Sequence, residues 1–131
     1  MELKVHHVGY AVPDLGKAID EFAVLGWMVS SEIVDDESRQ VRIVFLTNGA
    51  SVVELVAPLS PESPITKQLA KGCGTPYHIC YEVESLEDAE AYLKDRRFIV
   101  FKKPAIAPAI SGRRVEFLYA KQNGVIELVE K

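Results

Sequence analysis

The chain has 131 residues, of which 48% are hydrophobic and 26% charged, a composition typical of a soluble globular protein with one or two small packed units. The formal net charge of −4 and the pI near 5.4 argue against nucleic acid or an anionic membrane as a partner. No apolar run approaches the ~20 residues that cross a bilayer, and the start, MELKVHH, does not resemble a secretion signal. We therefore expect a cytoplasmic protein in which Cys73 and Cys80 are free thiols.

The first half of the chain predicts one helix and four strands. A strand over residues 5–12 is followed by apolar residues at helical spacing, namely Leu15, Ala18, Ile19, Phe22 and Leu25. Asp14 precedes this helix as an N-cap, and Gly26 ends it. Three more strands are predicted over residues 27–34, 41–47 and 51–57, and the dipeptide Asn48-Gly49 predicts a hairpin turn between the last two.

The second half predicts the same elements in the same order. Residues 59–76 connect the halves; they are rich in Pro, Ser and Gly, and they include a short predicted helix at 64–71. Beyond them, Ser85 is the predicted N-cap of the second helix, and strands are predicted over residues 77–83, 99–103, 114–119 and 124–130. The dipeptide Asn123-Gly124 again predicts a hairpin turn.

The two halves also align with each other. HVGYAVPDL, which begins at His7, and HICYEVESL, which begins at His78, share His, Tyr, Val and Leu at an offset of 78 − 7 = 71. RIVFL at 42–46 matches RVEFL at 114–118, and NGASVVELV at 48–56 matches NGVIELV at 123–129. The sequence therefore predicts a single domain, residues 1–131, made of two βαβββ modules at 1–58 and 77–131 that residues 59–76 connect.

A histidine and a glutamate recur at matching places in the two modules. His7 and His78 lie on the first strands. Glu54 and Glu127 lie on the last strands, where alternation puts each on one face with valines at the positions two residues away. A buried carboxylate without a partner is costly, so two of them facing two histidines indicate a cation. This mixed nitrogen and oxygen set suits one divalent ion of Zn, Co, Ni, Mn or Fe.

The sequence resembles the vicinal oxygen chelate superfamily, which includes glyoxalase I, methylmalonyl-CoA epimerase, extradiol dioxygenases and bleomycin-resistance proteins. The likeness covers nearly the whole chain and depends on HHVGYAV, VELVAPL, YHICYEV and IELVE in that order. It implies an α+β fold in which two tandem βαβββ modules form a cupped mixed sheet, and it implies a homodimer. It also implies the metal ligands, which would be His7, Glu54, His78 and Glu127.

The same resemblance implies a reaction. In this superfamily the metal ion chelates two neighbouring substrate oxygens and stabilises the enolate that forms when a carbon-bound proton is removed. Glu127 and Glu54 are then the candidate bases, and bases on opposite faces of a substrate suit epimerisation. The stretch VELVAPLSPESPITKQLAKG is similar to methylmalonyl-CoA epimerases and favours an acyl-CoA substrate, although residues 41–46 lack a carboxylate that some epimerases carry.

Two alternatives stay open. A lactoylglutathione lyase, glyoxalase I, would use the same ligands on a glutathione adduct. A non-catalytic binding or resistance protein would keep the fold, although such relatives generally lack the four ligands. A basic cluster could meet either a CoA phosphate or a glutathione carboxylate, although a solvated cluster is commoner; it consists of Lys102, Lys103, Arg113 and Arg114.

Two further polar residues are interpreted as surface or packing residues. Glu116 lies on the strand over residues 114–119 and is expected at the solvated surface. His6 precedes His7, so strand alternation turns it to the opposite face, where we expect it to be exposed or to pack.

Overall fold

The computed structural model describes residues 1–131 as nine strands, two α-helices and two short 3₁₀ helices. The first five strands are β1 (Lys4–Ala11), β2 (Met28–Val29), β3 (Val34–Asp36), β4 (Val41–Asn48) and β5 (Ser51–Pro58). The last four are β6 (Thr75–Val83), β7 (Ile99–Ala107), β8 (Arg113–Ala120) and β9 (Gly124–Glu130). The helices are α1 (Leu15–Val24) and α2 (Leu86–Lys94), and the 3₁₀ helices are Pro64–Leu69 and Pro108–Ile110.

Parallel and antiparallel pairs both occur among the nine strands, which form a mixed sheet. The predicted α+β class is therefore confirmed. Contacts divide the chain into two units: the N-terminal unit, Val8–Tyr77, and the C-terminal unit, Met1–His7 together with His78–Lys131. Neither helix is long and apolar enough to cross a membrane.

In the N-terminal unit, the strand order is β2-β4-β5-β1, and β3 also pairs with β4. The pairing of β1 with β5 is parallel, and the other pairings are antiparallel. Asn48 pairs with Ser51, so Gly49 and Ala50 form the turn between β4 and β5. Gly49 adopts a φ of 59°, the left-handed region that such turns require, and the predicted hairpin is confirmed.

Helix α1 covers one face of this part of the sheet. It begins as predicted, because the Asp14 side chain accepts a hydrogen bond from the Lys17 N–H. It ends where Gly26, with a φ of 93°, donates its N–H to the Ala23 carbonyl. The core beneath it combines helix and strand residues: Val12, Leu15, Ala18, Val44, Leu46, Val53, Leu55 and Ala57.

The single strand predicted over residues 27–34 is wrong, because the structure divides this segment between β2 and β3. The reason lies at Ser31, whose side-chain oxygen accepts the Phe45 N–H at 2.9 Å. That backbone donor would otherwise bond to a neighbouring strand, so pairing is interrupted between the two short strands.

In the C-terminal unit, the strand order is β6-β9-β8-β7, with β6 and β9 parallel and the other pairs antiparallel. Ser85 caps α2 by accepting the Asp88 N–H, and the helix covers a core of Val83, Leu86, Ala89, Leu93, Leu118, Ile126 and Leu128. The strand predicted to end at residue 103 continues through Pro104 to Ala107. A strand at the end of the order tolerates proline, and the register with β8 shifts on either side of Lys102.

Candidate metal centre

Strand alternation in the C-terminal unit turns Glu127 away from α2. Its neighbours Ile126 and Leu128 both belong to the core under the helix, so the Glu127 side chain lies on the opposite face of β9. In the parallel pairing, Glu127 lies opposite Cys80, two residues beyond His78 on β6. The fold therefore places His78 and Glu127 on the same helix-free face.

His7, His78 and Glu127 meet at this face. Glu127 Oε1 lies 3.3 Å from His7 Nε2 and 3.2 Å from His78 Nε2, and the two Nε2 atoms are 3.3 Å apart. The three atoms thus form a nearly equilateral triangle. The residues are 1%, 4% and 4% exposed, in the order His7, His78 and Glu127. Two ring nitrogens and one carboxylate oxygen therefore converge in a site that is shielded from bulk water.

This triangle fits a divalent metal ion. The buried Oε1 of Glu127 has no partner in hydrogen-bond geometry, although both ring nitrogens are close. Buried polar atoms rarely lack a hydrogen-bond partner. Ligand atoms that point at a common ion are an exception, because they bind the ion and not each other. Bonds of about 2.0–2.2 Å to one ion hold neighbouring ligand atoms roughly 3.0–3.5 Å apart, as observed here. The C-terminal unit therefore contains a possible metal-binding site.

The electrostatics of Glu127 agree with a ligand role. Burial alone raises the pKa of its carboxyl group, but interactions with the His7 and His78 imidazoles more than offset burial and lower the pKa to about 2. Glu127 is therefore ionised at neutral pH, and metal ligation requires that state.

Glu54 occupies the matching place in the N-terminal unit. It is buried on β5, where it pairs with Gly9 of the parallel neighbour β1 and with Phe45 of β4. Val53 and Leu55 on either side of it belong to the core under α1, so Glu54 faces away from that helix. The predicted facing of both glutamates is thus confirmed.

His6 is half-buried and packs against His7, in agreement with the expectation that it is exposed or packs. The sequence did not predict that its Nδ1 lies 2.8 Å from the Nδ1 of His7. Burial, His7 and Arg113 lower the pKa of His6, in that order of importance, while Glu82 and Glu127 act in the opposite direction. Strand alternation could not predict this contact, because it gives the direction of each Cα–Cβ bond but not the rotation of the ring.

An aromatic group lies beside His78. The ring of Phe117 meets the His78 ring edge to face at 5.8 Å, and Phe101 lies 6.0 Å from Phe117. Lys102 Nζ stands 5.8 Å from the centre of the Phe117 ring. Sequence reasoning missed Phe101 and Phe117, although Phe117 lies one residue from Leu118, a core residue, and so had to face the side of the site.

The predicted basic cluster is only partly available to a ligand. Arg113 donates to Glu82 at 2.6 Å and to the Glu130 carbonyl at 2.7 Å. Arg114 donates to the carboxylates of Glu87 and Glu130. Both arginines therefore have acidic partners, whereas the side chains of Lys102 and Lys103 are exposed on β7.

The expectation that Glu116 lies at the solvated surface is wrong. Its side chain shares a face of β8 with Leu118, under α2, and the residue is 0% exposed. Burial, followed by the nearby carboxyl group of Glu90, raises the pKa of Glu116 to about 8. The alignment of the two modules could have predicted this burial, because RVEFL aligns Glu116 with Val44 of RIVFL, and Val44 is a buried core residue.

Comparison with known proteins identifies the family. Residues 6–117 match the glyoxalase/bleomycin resistance protein/dioxygenase superfamily. The chain belongs to this superfamily. It is 38% identical over 129 residues to the mitochondrial methylmalonyl-CoA epimerase of Mus musculus, a match that covers 97% of this chain and 71% of that protein.

Two further members of the superfamily have the same activity in their names. The ethylmalonyl-CoA/methylmalonyl-CoA epimerase of Cereibacter sphaeroides is 34% identical over 131 residues, with 98% of this chain and 97% of that protein covered. A variant of the Streptomyces coelicolor methylmalonyl-CoA epimerase, solved with 2-nitronate-propionyl-CoA, has a TM-score of 0.84 and 26% identity, with 99% of each chain covered. The predicted superfamily, its fold and the prediction of an enzyme are confirmed.

Proposed function

We propose that this enzyme is a metal-dependent epimerase of methylmalonyl-CoA or of a closely similar acyl-CoA. The observation that carries the proposal is the buried triangle of His7, His78 and Glu127 ligand atoms, which offers a divalent ion three ligands of the right chemistry. The names of its relatives supply the substrate class.

Glu54 is the fourth ligand in this proposal. Its burial, its direction away from α1 and its pairing with Gly9, two residues beyond His7 on β1, support the assignment. Gly9 has no side chain beyond hydrogen, so it leaves space next to the carboxylate. The bound ion would be one of Zn, Co, Ni, Mn or Fe, since imidazole and carboxylate ligands serve all five.

A bound divalent ion stabilises negative charge on substrate oxygens next to the carbon that loses its proton. The protein's own carboxylates then transfer the proton. Glu127 and Glu54 come from different modules, and in our proposal one removes the proton from carbon 2 while the other returns it from the opposite face. The low pKa of Glu127 keeps it ionised at neutral pH, as a proton acceptor must be, but it also makes Glu127 a weak base.

The residues around the triangle support this chemistry in two ways. Phe117 and Phe101 provide an apolar wall beside His78, which would exclude water from the carbon that is deprotonated. The exposed Lys102 and Lys103 are positive groups that could contact CoA phosphates. We also propose that the enzyme acts on its small-molecule substrate as a cytoplasmic homodimer.

Deuterium exchange tests the proposed activity. Metal-loaded protein is incubated in D₂O with a single epimer of methylmalonyl-CoA, and deuterium at carbon 2 and the appearance of the other epimer are measured. We expect both, and we expect chelation to abolish them and added metal to restore them. The methylglyoxal–glutathione hemithioacetal serves as the comparison substrate. A metal-loaded enzyme that converts the hemithioacetal but leaves methylmalonyl-CoA unexchanged would overturn the proposal in favour of a lyase.

A further inference from the structure

His7 presents its two ring nitrogens to different neighbours. Nε2 lies 3.3 Å from both Glu127 Oε1 and His78 Nε2. On the other side of the ring, Nδ1 lies 2.8 Å from Nδ1 of His6. The two adjacent rings meet edge to face, with centroids 5.1 Å apart and an interplanar angle of 77°. The two nitrogens of His7 therefore contact different groups: Nε2 belongs to the triangle, and Nδ1 lies beside His6.

The chemistry of imidazole restricts what each nitrogen can do. A neutral ring carries one N–H, so a ring that offers its Nε2 lone pair to an ion has its proton on Nδ1. That Nδ1–H then needs an acceptor, and in many metal sites a carboxylate or a backbone carbonyl provides it. The Nδ1 of His6, at 2.8 Å, is at hydrogen-bond distance and accepts when His6 carries its own proton on Nε2.

We propose that His6 is a positioning residue for this site. It accepts the Nδ1–H of His7, and it thereby fixes the tautomer and the ring orientation that direct His7 Nε2 towards the ion. The inference rests on the proposed metal site. The position before His78 in the second module is occupied by Tyr77, which has no ring nitrogen, so this arrangement belongs to the first module alone.

Metal affinity separates this role from simple packing. The variant His6→Leu removes the acceptor and keeps an apolar branched side chain, whereas His6→Asn places an amide oxygen close to the position of the imidazole Nδ1. We measure the Kd for Zn²⁺ by competition with a chromophoric chelator. Loss of a hydrogen-bond partner to a ligating histidine weakens metal binding by about 10–100-fold, and we expect that loss in His6→Leu. We expect His6→Asn to stay within a few-fold of wild type.

A second measurement uses the Zn²⁺-loaded protein, because in the metal-free protein the nearby Glu127 carboxylate favours a proton on His7 Nε2. ¹H–¹⁵N NMR reports the Nδ1–H of His7 and its rate of exchange with solvent. We expect slow exchange in wild type and in His6→Asn, and fast exchange in His6→Leu. Thermal unfolding of the three metal-free proteins shows whether they fold equally. Should His6→Leu fail to fold, fast exchange of the wild-type Nδ1–H would still overturn the role of His6.

The outcomes distinguish the two proposals. A folded wild-type protein that does not bind Zn²⁺ or the other four candidate ions would overturn the metal site of the proposed function. If wild type binds Zn²⁺ and His6→Leu binds it equally tightly, the metal site stands and the role of His6 is overturned. A His7 Nδ1–H that exchanges as fast in Zn²⁺-loaded wild type as in His6→Leu would overturn that role as well.

Discussion

Several equivalent buried positions of the two modules hold the same side chain, and one pair, an aliphatic residue and an acid, is the clearest exception. His7 matches His78, Glu54 matches Glu127, and Leu46 matches Leu118, and all six residues are buried. Val44 and Glu116 also match, and both are 0% exposed, yet one is a core aliphatic residue and the other a carboxylic acid. The inner strands of the two modules thus match at the residues of the candidate site and at one core leucine, while a buried acid stands opposite an aliphatic residue at another core position.

The outer strands differ more than the inner ones. In the first module this part of the chain forms two strands of two and three residues, β2 and β3. In the second module it forms the nine-residue β7, with shifts in register on either side of Lys102. A strand at the end of the order pairs with fewer neighbours, so its length and register can differ between the modules without moving the proposed ligands.

The largest effect is expected at the matched glutamates. Glu127→Gln and Glu54→Gln keep the shape of each side chain but remove its charge, and we expect each to lower kcat by about 10²–10⁴-fold because each would lose a proton-transfer group. Deuterium incorporation, measured separately for each epimer, shows which glutamate acts on which face of the substrate. A variant that lacks one base should still exchange the epimer that the other base deprotonates. Metal content measured on the same samples separates a lost ligand from a lost base, and full activity of either variant would remove that glutamate from the mechanism.

The matched core leucines should behave alike. Leu46→Ala and Leu118→Ala each leave a cavity in a buried cluster, and we expect each to lower the free energy of unfolding by about 2–5 kcal/mol. Urea denaturation of the metal-free protein measures both. A loss at one site only would show that the two helix-covered cores are not energetically equivalent, contrary to the comparison.

Glu116, the exception among the matched positions, should make the free energy of unfolding depend on pH. With a folded pKa near 8 and an ordinary value of 4.5, Glu116 holds its proton in the folded protein at pH values where the unfolded chain has lost it. The free energy of unfolding should therefore fall as pH rises from about 4.5 to about 8, by on the order of 1–3 kcal/mol, and this contribution should be level above that range.

Replacement of the acid tests this assignment. Glu116→Val copies the first module, and Glu116→Gln keeps the shape of the side chain without the charge. Both variants should flatten the decline and be more stable than wild type at pH 9, as measured by urea denaturation at a series of pH values. If their profiles run parallel to that of wild type, the decline has another source.

The smallest effect is expected on the divergent outer strand. The variant with both Lys102→Ala and Lys103→Ala should raise the KM for an acyl-CoA several-fold and leave kcat nearly unchanged, because exposed charges contribute little through screened contacts. The effect should shrink further at high salt. Lys17→Ala, at an exposed position on α1, serves as the matched control. A large fall in kcat would place the lysines in the chemistry instead.

Most of the fold could be predicted, because the sequence repeats and each half predicts the same helix and strands independently. Alternation also predicted the facing of Glu54 and Glu127, which core neighbours on both sides determine. The division of the strand over residues 27–34 could not be foreseen, since it depends on a long-range bond from Phe45 to Ser31. The His6 contact was equally hidden, because it depends on ring rotation within one strand rather than on the pattern of residues.

The division of β1 between the two units has a consequence for a cleaved chain. The first seven residues belong with the C-terminal unit by their contacts, although they precede the first module's helix in the sequence. A protease cut anywhere in residues 59–76 would therefore leave His7 on one fragment and both His78 and Glu127 on the other. Neither fragment alone could close the triangle, so recovery of metal binding after nicking would report that the two fragments had recombined.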